Sequence, residues 1–137
     1  MVEGADGGVA RVWQVDWARA RDLPPQMEAT RRALVVEGTK ELEIAQVWRP
    51  LANLLAARGV ETPFAERDFL WKPGDVARLA HGLEPLAWKD VVELARTLDA
   101  EARDPAALAR VEPSFDAFRA LVLDAAARGS ALAGEVR

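Results

Sequence analysis

Residues 41–58, ELEIAQVWRPLANLLAAR, form the longest apolar-periodic run in the chain and carry a tryptophan at their centre. Ile44, Val47, Trp48, Leu51, Leu54 and Leu55 keep the three- and four-residue spacing of one helix face. Pro50 falls inside the run. In a helix interior a proline removes a backbone donor and clashes one turn back, at a cost of about 3 kcal/mol. Either the helix is kinked, or Pro50 starts a second helix just after Trp48. The apolar face runs on across Pro50, which favours a kink or a tight break within one packing unit. Gly59 closes the segment.

Around this run the chain reads as short helices and a little sheet. Val9, Arg11, Trp13 and Val15 alternate with Ala10, Val12 and Gln14, a period of two that predicts a strand. Asp16 can cap a short helix starting at Trp17. Pro24 and Pro25 end that helix and begin another over residues 26–36, which Gly38 stops. Residues 60–67 read as a loop. Residues 68–71 (DFLW) form a second strand or an extended lead-in. Pro73 and Asp75 then open a helix whose stripe is Val76, Leu79, Ala80 and Leu83.

Pro85 begins the next helix, with Trp88, Val91, Val92, Ala95 and Leu98 on its inner face. A short helix is predicted from Pro105 to near Val111, and a separate last helix from Pro113, capped by Ser114, with Phe115, Phe118 and Ala125 inward. Residues 130–136 are a closing strand. The expected fold is α+β: predominantly helical, five to six helices packed on a small sheet of two or three strands. Residues 1–8 are read as a flexible tail and 9–137 as a single domain, in keeping with a length of 137 residues.

Composition narrows the function classes. The chain has no cysteine and one histidine, His81, so a thiolate or multi-histidine metal site is ruled out and no metal or cofactor is expected. His81 lies off the apolar stripe of its helix and reads as a surface residue. Asp99, Glu101 and Asp104 lack the glycine and spacing of a calcium loop and read as a solvated connector. Glycines 4, 7 and 8 precede a strand, whereas a phosphate loop follows one.

Ser114 and Ser130 are the only serines, and neither sits in a nucleophile elbow. A net charge of −4 disfavours nucleic acid as a partner. No apolar run approaches the length of a membrane span, and the acidic, glycine-containing start is unlike a signal peptide. A cytoplasmic setting is expected.

Five tryptophans are available: Trp13, Trp17, Trp48, Trp71 and Trp88. Four sit on or beside apolar faces and are predicted to be core. Trp17, beside Asp16 on a short amphipathic piece, is the candidate for a partner interface. The alternative site is a small-ligand cleft near Trp48, Arg49 and Arg67.

Three stretches resemble the YfbM-like bacterial family, a domain of unknown function. They are LEIAQVWRPLANLL (42–55), FLWKPGDVARLAHGL (69–83) and FRALVLDAAARGSALAGEV (118–136). The resemblance implies an α+β fold with helices on a small sheet, in a bacterial cytoplasm, and no known reaction. Where the family carries Lys, His and His around the tryptophan, this chain has Gln46, Arg49 and Ala52, with Pro50 added. Any ligand chemistry of those positions therefore does not transfer. The expected function is non-catalytic protein binding, of which an immunity-type role is one form. The alternative is a ligand binder or enzyme at the Trp48/Arg49 cleft.

Overall fold

The computed structural model describes residues 8–20, 34–45, 48–65, 68–98 and 105–136. Strand β1, Val9–Val15, forms where the period-two pattern places it and has partners on both edges. Strand β2 is Leu42–Ala45, β3 is Asp68–Trp71 and β4 is Ala131–Val136. They make a four-stranded sheet in the order β2-β1-β4-β3, with every pairing antiparallel. The expectation of two or three strands is thus corrected to four.

The additional strand comes from the run that the apolar spacing assigns to a helix. Ile44 fits both the helical face it would share with Val47 and Trp48 and an alternation with Leu42, and tertiary pairing chooses between them. Ile44 lies opposite Ala10 and is buried on the helix side, while Glu43 lies opposite Arg11 on the other face and is 3.3 Å from its guanidinium. A helix through these residues would leave the N-terminal half of β1 without its second neighbour.

Among the described residues there are five α-helices: α1 Trp17–Ala20, α2 Trp48–Ala57, α3 Pro73–Leu83, α4 Trp88–Leu98 and α5 Pro105–Arg128. Helix α2 starts at Trp48, so Pro50 lies in its first turn. There the backbone N–H groups have no intrahelical partner to lose, so of the two outcomes the apolar face favours, a kink or a tight break, the kink is not needed. Two further expectations are overturned. Leu34, Val35 and Val36 are not the end of a helix. They run extended beside the end of β1, with Asp16 N–H donating to Leu34 O (3.1 Å) and Val36 N–H to Gln14 O (3.0 Å).

Helix α5 is also one element of 24 residues with Pro113 inside it, so Ser114 is not an N-cap. Pro113 and Ala109, whose carbonyl loses its usual donor, are both exposed, and water can replace that hydrogen bond. Ser130 N–H donates to Ala125 O (2.9 Å), and Gly129 adopts φ 70°, closing the helix as its glycine predicts.

Helices α2 to α5 cover one face of the sheet. Val76, Leu79, Ala80 and Leu83 of α3, Val91 of α4, and Phe115, Phe118, Val122 and Ala125 of α5 are buried there with Ala10, Val12 and Leu132. Phe64 joins them from a 3-10 turn at Pro63–Ala65, inside the stretch read as a loop. Its ring lies 5.2 Å from that of Phe118, 6.2 Å from Phe69 and 6.3 Å from Trp48. Arg119 fastens α5 to the end of α3 by donating to the carbonyls of Leu83 (2.9 Å) and Glu84. A second cluster lies on the opposite face of the sheet: Trp13, Val15, Ala20, Leu34, Ala131 and Ala133, with Trp17 and Leu70 against it.

Candidate functional site

The end of β1, where it runs into α1, lies beside the turn from α5 into β4. An open cleft of about 620 Å³ lies at this corner. Asp16, Trp17 and Arg19 form one wall, residues 34–37 a second, and Arg128, Gly129 and Ser130 a third. Each wall has a local cause. Asp16 Oδ1 accepts from Ala18 N–H (3.0 Å), which starts α1 and sets Trp17 at its first position. The extended pairing of residues 34–36 with β1 brings Val35 to the cleft. Gly129 reverses the chain between α5 and β4.

The polar side chains are only partly committed. Arg128 Nε donates to Asp124 Oδ2 (2.9 Å), and the buried amide of Gln14 donates to the same oxygen from β1 (2.8 Å). The Gln14 hydrogen bond first, and the Arg128 contact second, hold the Asp124 carboxyl below its ordinary pKa of 3.8. Arg19 and Glu37 have no ion-pair partner among the described residues. The apolar part of the cleft is Trp17, half-buried, and Val35, which at 37% is the one large hydrophobic residue exposed among the described residues.

Of the residues singled out from sequence, Trp17 lines this cleft. Trp48 is half-buried at the start of α2, and its indole N–H donates to the Gly8 carbonyl (3.2 Å). Gly8 itself is buried, although the sequence places it in the tail. Arg49 is exposed, with its guanidinium 5.2 Å from the centre of the Trp48 ring. Arg67 lies outside the described residues, as do Gln46, Asp99, Glu101, Asp104 and residues 1–7 of the tail. The structure does not bring Trp17 together with Trp48 and Arg49.

A smaller cleft of about 390 Å³, between the turn after α2 and helix α3, is lined by Glu61, Trp71, Asp75 and Arg78 among others. Neither Trp48 nor Arg49 lines either cleft. Among the described residues, no three acidic or histidine side chains are grouped to hold a metal ion.

Sequence reasoning missed Val35, Arg19 and Arg128 as site residues. Val35 was concealed by its assignment to a helix. The β-branched pair Val35–Val36 ahead of Gly38 was the available signal for extended backbone. Nothing local could place Arg128 on the same cleft as Trp17, because the two are more than a hundred residues apart in the chain.

An antiparallel sheet carrying its helix layer on one face makes this an α+β protein. No family model and no curated protein matches the sequence. Among solved structures the chain is similar to YfbM from Escherichia coli, described as a protein of unknown function. The TM-score is 0.60 at 12% identity, over 94% of this chain and 99% of that one. The YfbM-like fold implied by the sequence motifs is therefore present. At this identity the likeness concerns the fold alone. No helix among the described residues is long and apolar enough to cross a membrane.

Proposed function

We propose that the protein is a non-catalytic binding module of the bacterial cytoplasm that engages another protein through the corner cleft. The observation that carries this reading is the pairing of Trp17 with exposed Val35 on one open concavity. A large aromatic beside an aliphatic residue, rimmed by charges, has the make-up of a protein contact. Arg19 and Glu37 on the rim would set orientation. Neutralising a toxin by covering its surface, as immunity proteins do, is one role such a module can fill. The reading of a small-ligand cleft at Trp48 and Arg49 has less support, since Arg49 lies across the Trp48 ring and neither cleft reaches them.

The test compares the tagged protein with Val35→Asp and Trp17→Ala in quantitative capture from host lysate, with circular dichroism as a check on folding. Proteins retained by the wild type should be lost by both variants. Removing a central contact should cost about 2 kcal/mol or more, roughly thirty-fold in affinity. Equal retention by folded variants, or no retained protein, overturns the proposal.

A further inference from the structure

We draw no further inference here: the strongest candidate, the smaller cleft between the turn after α2 and helix α3, engages its arginine, Arg78, with its own Asp75 and is otherwise lined by Glu61, Trp71 and glycine or aliphatic residues, so nothing in the structure shows what would fill it.

Discussion

Gly134 sits in β4 opposite Phe69 of β3 and Val12 of β1. A Cβ there would overlap the Arg11 carbonyl and the Phe69 ring. The glycine weakens the strand pattern when read alone, yet it is what lets the Phe69 ring lie across β4. Gly134→Ala is expected to destabilise the protein by about 3 kcal/mol in urea unfolding, because neither a backbone carbonyl nor a fully buried ring has room to yield.

Gln14 makes a different bargain. Its amide Nε2 binds Asp124, while its buried Oε1 has no hydrogen-bond partner among the described residues. Gln14→Met keeps the approximate volume and removes that orphan acceptor, so stability should change by less than about 1 kcal/mol. The Asp124 carboxyl, followed by carbon-13 NMR, should at the same time titrate at higher pH, since its largest stabilising contact is gone. A folded-state pKa below the unfolded value gives stability that is complete above the unfolded pKa and disappears as pH falls through the folded one. The stability gap between wild type and Asp124→Asn should therefore be widest near neutral pH and narrow as pH drops below 3.8. A gap independent of pH would show that the carboxylate charge has no part in it.

The helices separate two prolines that look alike in sequence. Pro50 lies in the first turn of α2, and Pro50→Ala should leave stability within about 1 kcal/mol of wild type. Pro113 lies inside α5, and Pro113→Ala restores a donor to the Ala109 carbonyl at an exposed site. That change should stabilise by about 1–2 kcal/mol, the cost of an interior proline less what the looser unfolded chain gains. The inward stripes of α3 and of the part of α5 after Pro113 were legible beforehand, though the continuity of α5 across Pro113 was not. Val76, Leu79, Ala80 and Leu83, and likewise Phe115, Phe118 and Ala125, are buried as their spacing requires. Elements whose pattern fits two periods were not. Ile44 of β2 fits either geometry, and a strand of four residues is held by its neighbours rather than by propensity. Phe64 was missed for a related reason: a single 3-10 turn that begins at Pro63, with charged residues nearby on both sides in sequence, has no periodicity to read.

For the whole molecule, the strand formed last in sequence is one of the two central ones. β4 pairs with β1 from Ala10↔Val136 to Val15↔Ala131, and with β3 on its other edge. Truncation after Gly129 would remove neighbours from both strands and uncover the helix layer. The shortened chain is expected to lose its cooperative thermal transition altogether, as followed by circular dichroism. A retained sharp transition would mean that the helices fold without the sheet. The corner cleft belongs to this scale too, since its walls come from both halves of the chain.

The sequence by itself determined what depends on local spacing: strand β1, the stripes of α3 and α5, the Asp16 cap that places Trp17, and the motifs that pointed to a YfbM-like α+β fold. Tertiary structure alone decided the fate of residues 34–36 and 42–45, the unity of α5 across Pro113, and the meeting of Trp17, Val35 and Arg128 at one cleft. The physical reason is the range of the interaction. A helix face carries its pattern within a few residues, whereas a strand pairing or a cleft wall takes its free energy from partners that can lie more than a hundred residues away, as β1 and β4 do.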